Sequence, residues 1–172
     1  RRVSETDQAG KTTRFEYDAL GRLTAVVDAL NQRTSYAYDE LGNRIRQTDA
    51  NSHVTSFEYD RLGRETARIL PDGKRETKEY DAAGNLQTRI DFAGRQTDFG
   101  YDLNNRLASR TYPSSPGENV SFTYYPTGPL ASVTDSRGTT NYAIDNRSRR
   151  TGEAYPNGTS LAYGYDANGN RT

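Results

Sequence analysis

A tyrosine followed by aspartate returns every 21 residues, at Tyr17, Tyr38, Tyr59, Tyr80 and Tyr101, with Asp18, Asp39, Asp60, Asp81 and Asp102 behind them. The series continues through Tyr124, Ile144 and Tyr165-Asp166 at intervals of 23, 20 and 21 residues. Self-similarity at a fixed short period signals a repeat architecture, in which each unit is one supersecondary element that buries its face only against its neighbours. Cut after the recurrent glycine, the units run 1–21, 22–42, 43–63, 64–84, 85–105, 106–128, 129–148 and 149–169. They leave no linker, so the expected organisation is one array over 1–172. The chain opens Arg1-Arg2-Val3 without an initiator methionine, which reads as a fragment of a longer protein.

Within a unit the pattern is an aromatic residue, one residue, Tyr-Asp, two residues and glycine. In the first unit Phe15 and Tyr17 alternate with Arg14 and Glu16, the period-2 signature of a half-buried strand. Asp18 can accept backbone N–H groups just ahead of it, and Gly21 can adopt the left-handed conformation that closes a tight turn. The same roles fall to Gly42, Gly63, Gly84 and Gly169, with Asn105 and Ser148 in that slot elsewhere. A second run, Leu23 to Val27, ends in another turn of similar design at Asp28 to Asn31. Each unit therefore predicts two strands of about six residues.

A three-residue loop with a glycine bulge would set Tyr17 opposite Leu23, Phe15 opposite Ala25 and Thr13 opposite Val27. Because 21 is odd and the pleat has period 2, the aromatic residues stay on one face only if the other turn has an even loop, such as four residues. The 20-residue interval before Ile144 would then shorten that turn to three. Arg14, Glu16, Arg22, Thr24, Asn43, Glu58, Arg64, Arg68, Arg89 and Arg110 are expected on the opposite, solvated face, with Lys78 an exception in an aromatic slot that must be paired or turned to an edge.

Composition sets the core. Leu, Ile, Val and Phe total only 26 of 172 residues, while thirteen tyrosines supply amphipathic area. The expected fold class is all-β, an antiparallel meander of about 16 strands in eight hairpin repeats with a thin core. Sixteen strands at about 4.8 Å span about 77 Å, and twisted open sheets rarely exceed about ten strands without curling, so the sheet should bend into part of a spiral β-shell. The alternative is a small β-propeller or closed barrel. Leu70-Pro71, Tyr112-Pro113 and Tyr155-Pro156 fall in every second unit and hint at the 42-residue super-period of propeller blades.

Charge and cysteine content narrow the chemistry. With 23 basic and 23 acidic residues the formal net charge is zero, which gives no electrostatic reason to expect nucleic acid as a partner. Without cysteine there is no thiolate nucleophile or Cys-based zinc site, and the single His53 cannot build a multi-histidine metal centre. No apolar run predicts membrane insertion by this segment. His53 lies in a turn with no second histidine, and the recurrent aspartates suit turns better than paired catalytic carboxylates, which need unequal environments. Asp166 to Asn170 echoes an EF-hand loop but has its glycine at the wrong position. Arg147-Ser148-Arg149-Arg150 reads as a solvated turn, and the sequons at Asn119, Asn146 and Asn157 follow from turn composition. No catalytic, cofactor or metal site is therefore expected, and the chain is expected not to be an enzyme.

The strings YDALGRL, YDELGNR, YDRLGRE, YDAAGNL, YDLNNRL and YDANGNR, spread over the whole chain, resemble the YD-repeat or Rhs-repeat family. That family includes bacterial Rhs polymorphic toxins, B and C components of insecticidal toxin complexes, wall-associated proteins and teneurins. The resemblance implies a spiralling sheet wound into a hollow shell, secreted or at the cell surface. Its partners would be neighbouring repeats of the parent protein and an enclosed C-terminal cargo domain. Adhesion through a surface receptor or carbohydrate is the alternative the resemblance offers. Tyr125-Pro126 and Ile144 depart from the pattern.

Overall fold

A computed structural model describes all residues, 1–172. The chain forms a sheet of 16 strands in sequence order: β1 (Ser4–Thr6), β2 (Thr12–Tyr17), β3 (Leu23–Val27), β4 (Arg33–Tyr38), β5 (Arg44–Thr48), β6 (Val54–Tyr59), β7 (Glu65–Ile69), β8 (Arg75–Tyr80), β9 (Leu86–Ile90), β10 (Gln96–Tyr101), β11 (Leu107–Thr111), β12 (Val120–Tyr124), β13 (Leu130–Asp135), β14 (Gly138–Ile144), β15 (Arg150–Ala154) and β16 (Ser160–Ala162). Neighbours pair antiparallel, and β1 and β16 have one neighbour each, so the sheet is not closed into a barrel or divided into blades. The only helix is a three-residue 3-10 turn, Pro116–Glu118, inside the lengthened β11–β12 connection. The strands pack as two compact units, Arg1–Lys78 with Ile90–Gly94, and Glu79–Arg89 with Arg95–Thr172.

The period-2 face is maintained differently from the parity expectation. Tyr17 does face Leu23, but the next pair is Glu16 with Ala25, followed by Phe15 with Val26 and Arg14 with Val27. Thr24 is an extra residue, a β-bulge of the kind that locally disrupts a ladder and increases twist. The bulge recurs in the next hairpin between Ala37 and Tyr38, and again between Glu58 and Tyr59, Gly100 and Tyr101, Thr123 and Tyr124, and Ala143 and Ile144. It changes the parity of the repeat, so no even loop is needed. The second turn is in fact a three-residue loop like the first: Asp28 N–H donates to the Gln32 carbonyl, Asn31 N–H donates to the Asp28 carbonyl, and Asn31 has φ 60°. In the 20-residue unit the corresponding turn shortens to two residues, Ser136 and Arg137, between the paired Asp135 and Gly138.

The bulge also redistributes the charged side chains. Arg68 pairs with Phe57 and Arg110 with Phe99, which places both arginines on the aromatic face rather than on the opposite one. Ala25 and Val27 move to the face of Glu16 and Arg14. Tyr38, Tyr59 and Tyr80 are half-buried where Glu58 and Arg68 are exposed, and Lys78 is paired with Glu65 at 2.7 Å.

The core is thin, as the shortage of aliphatic residues requires. Its buried apolar residues are Ala25, Phe57 and Ala67, joined by the buried Glu76. The two alanines lie under matching ion pairs. Arg33 reaches from β4 across β3 to both carboxylate oxygens of Glu16, and Arg75 reaches from β8 across β7 to Glu58 with both contacts at 2.6 Å. Ala25 pairs with Glu16, and Ala67 with Glu58. A small side chain in the middle strand lets the long ones lie across it. The two bridges stand 42 residues apart, so the alternation of units seen in the prolines decorates a continuous meander.

Candidate functional site

The recurrent motif converges at the junction between consecutive hairpins. At the first complete turn Asp18 Oδ1 accepts Arg22 N–H at 2.9 Å and Oδ2 accepts Arg22 Nε–H at 2.7 Å, while Asp18 N–H donates to the Arg22 carbonyl and Gly21 N–H to the Asp18 carbonyl. Arg64, Arg106 and Arg149 hold Asp60, Asp102 and Asp145 in the same way, and Asn43, Asn85 and Asn170 hold Asp39, Asp81 and Asp166 through Nδ2. At these seven turns the residue four after the aspartate is arginine or asparagine, each of which offers a side-chain N–H to the second carboxylate oxygen.

These bonds hold the aspartate carboxyls below their usual range. For Asp18, Asp60 and Asp145 the largest cause is the backbone N–H four residues ahead, and for Asp39, Asp81, Asp102 and Asp166 it is the side-chain N–H of that same residue. Gly21, Gly42, Gly63, Gly84 and Gly169 all have positive φ, as do Asn105 and Ser148 in the same slot.

The tyrosine ties one hairpin to the next. Tyr38 Oη–H donates to the Leu23 carbonyl at 2.8 Å, Tyr59 to Arg44 at 3.0 Å, Tyr101 to Leu86 at 3.0 Å, Tyr124 to Leu107 at 2.8 Å and Tyr165 to Arg150 at 2.7 Å. Leu23, Arg44, Leu107 and Arg150 each stand where the bulge interrupts the pairing. A carbonyl displaced from its ladder and half-buried needs a donor, and the hydroxyl supplies one. The arginine after the glycine adds a second link. Arg22, Arg106 and Arg149 stack on Tyr38, Tyr124 and Tyr165 at 4.9, 4.5 and 4.3 Å, and Arg22 also donates to the Asp39 carbonyl at 3.0 Å. Burial raises the Tyr59 and Tyr101 phenols above their usual range.

Period and bulge are thus one device, in which a unit closes its own turn and, where it carries the tyrosine tie, caps the irregularity of the unit before it. Ile144 has no hydroxyl to offer Leu130, which stands opposite Tyr124 at the bulge of β13. Restoring the residue type, Ile144→Tyr, should stabilise the chain by about 1 kcal/mol, the net worth of one hydrogen bond, as measured by urea unfolding.

The remaining candidates resolve into turn chemistry. His53 Nδ1 lies 3.1 Å from Asp49 Oδ2 and its backbone N–H donates to Oδ1, the role Arg22 plays for Asp18. In the basic cluster, Arg149 holds Asp145 and Arg150 stacks on Tyr142 at 3.9 Å. Asn157 Oδ1 accepts Thr159 N–H, and Asn119 Oδ1 accepts Tyr112 N–H at 2.8 Å. The Asp166 carboxylate is engaged by Asn170. The tyrosine hydroxyl tie is the element that the spacing alone does not disclose, because its acceptor exists only once the strand bulges. No helix is long and apolar enough to cross a membrane.

The model of the RHS repeat family matches residues 1–33, 17–52, 38–76 and 80–115, more than half of the chain. The chain belongs to the RHS repeat family. No curated protein matches the sequence. Among solved structures this RHS repeat array is similar to the TcdB2-TccC3-Cdc42 crystal structure, with a TM-score of 0.81, 17% identity and 100% of the chain covered. It is similar to TcdB2-TccC3 at a TM-score of 0.75, 18% identity and 94% coverage, and to TcdB2-TccC3 without its hypervariable C-terminal region at 0.71, 17% and 99%. The chain spans 11% of the length of each of these solved chains. The likeness is one of fold.

Proposed function

We propose that this array is a wall segment of a hollow RHS-repeat shell that encloses and shields a C-terminal cargo in a secreted or cell-surface protein. In this reading residues 1–172 are one continuous array, a piece of a longer chain, and Tyr17, Asp18, Gly21 and their equivalents serve structure rather than catalysis. One observation carries the proposal. The fold matches TcdB2-TccC3 over 99% of this chain even in the form without the hypervariable C-terminal region. The likeness therefore lies with the part of that protein present without the hypervariable region, which supports reading this array as wall rather than cargo. The junction chemistry supports the same reading, since carboxylates, guanidiniums and phenols are engaged in joining hairpins.

The experiment is limited proteolysis of the parent protein. Its region C-terminal to the array should resist protease in the intact protein and become sensitive when Gly63→Val and Gly84→Val loosen the wall. Equal sensitivity of that region before and after the substitutions would refute enclosure.

A further inference from the structure

We propose that Arg44 and Arg68 form a docking surface for an acidic, apolar polypeptide segment on the aromatic face of the first compact unit. Five side chains of that unit stack in alternation. Arg44 lies 5.8 Å from the Tyr36 ring and 4.6 Å from Phe57, and Arg68 lies 5.9 Å from Phe57 and 5.8 Å from Phe92. Phe57 is one of the buried residues of the chain, so the stack is anchored at its centre.

Several arginines of the repeats are committed to carboxylates: Arg22, Arg64, Arg106 and Arg149 to turn aspartates, Arg33 and Arg75 to glutamates. Arg44 and Arg68 have ring contacts and no ion pair with a carboxylate; Glu76, opposite Arg68 in the ladder, lies 3.7 Å from Lys78 instead. Stacking occupies the flat faces of a guanidinium and leaves the N–H fork at its edge, which is the geometry that receives a carboxylate through two parallel bonds.

Charge complementarity selects the occupant. Two unsatisfied forks between three aromatic rings fit a segment that offers single carboxylates beside apolar side chains. A polyphosphate or sulfated chain needs a dense field of cations, and this face lacks one. Lys78, the next cation on it, is already held by Glu65 at 2.7 Å and approaches Glu76 at 3.7 Å, and the whole chain has no net charge. The proposal does not require that the parent encloses a cargo.

The test is an NMR titration of the 172-residue chain with a ten-residue peptide of alternating glutamate and leucine. Its glutamine counterpart and a sulfated oligosaccharide of equal charge are titrated in parallel. The glutamate peptide should bind at least tenfold more tightly than the other two, with shifts centred on Phe57 and Tyr36. Arg44→Gln with Arg68→Gln should weaken binding at least tenfold. Arg44→Lys with Arg68→Lys, which keeps the charge and the fold but not the fork, should recover only part of the loss. Arg46→Gln, on the opposite face, should change nothing. No binding of the glutamate peptide, equal binding of the glutamine peptide, tighter binding of the oligosaccharide, or full affinity in the lysine variant would overturn the proposal.

Discussion

Gly63→Val is expected to destabilise the fold by about 2 kcal/mol, the order of cost of forcing a β-branched residue into the left-handed region. Gly63 has φ 75°, and a Cβ there would also stand 3.3 Å from Asn43 Oδ1, so strain and crowding act together. The same slot supplies its own control, because Asn105 occupies it at φ 57°. Gly63→Asn should therefore cost less than half as much, since asparagine tolerates that conformation. Chemical unfolding of the two variants beside the parent chain measures the difference, and equal losses would remove the turn argument.

Acid should unfold the array in a way the turn aspartates dictate. Asp18, Asp39, Asp60, Asp81, Asp102, Asp145 and Asp166 have carboxyls held below the ordinary value by N–H donors within the turn. A depressed folded-state value means that these groups contribute stability above the unfolded-state value, about 3.9 for aspartate, and lose it as pH falls through the folded-state value. The melting temperature should thus be flat between about pH 5 and 7 and drop steeply below about pH 4. All seven turns are solvent-accessible, so each contributes modestly and the steepness comes from repetition. Asp60→Asn and Asp102→Asn cannot titrate and set an amide N–H against the arginine that bonded Oδ2, so together they should flatten the acid limb by lowering stability near neutral pH while leaving stability in acid nearly unchanged. An acid limb unaltered by both substitutions would show that other groups control it.

The meander and the turn glycines were legible from Tyr17-Asp18 and Gly21 onward, because turn chemistry is local and repeats make it visible eight times. The register was legible only as far as Tyr17 opposite Leu23. Beyond that pair the bulge at Thr24 intervenes, and a bulge leaves no composition mark of its own: its extra residue is Thr24 in one unit, Ile45 in the next and Ala108 later. Parity arithmetic assigned the missing residue to the second turn, although the ladder holds it. From that one displacement follow the positions of Arg68 and Arg110 on the aromatic face, and with them the stack on Phe57. Ion pairs that skip a strand, such as Arg33 with Glu16, were equally invisible, since they join residues 17 apart whose neighbourhood depends on register.

The central claim is that the repeated tyrosine serves as a hydroxyl tie between hairpins and not only as an apolar ring. Tyr36 lies on the same face and stacks against Arg44 but has no hydroxyl partner in the chain, whereas Tyr59 and Tyr101 each donate to a carbonyl of the preceding hairpin at 3.0 Å. The deciding measurement is the unfolding free energy of three tyrosine-to-phenylalanine variants made in the same chain. Tyr59→Phe and Tyr101→Phe should each lose about 1 kcal/mol and Tyr36→Phe close to nothing, because only the first two leave a half-buried carbonyl without its donor. Equal effects at all three positions would contradict the tie and reduce the repeat to aromatic packing.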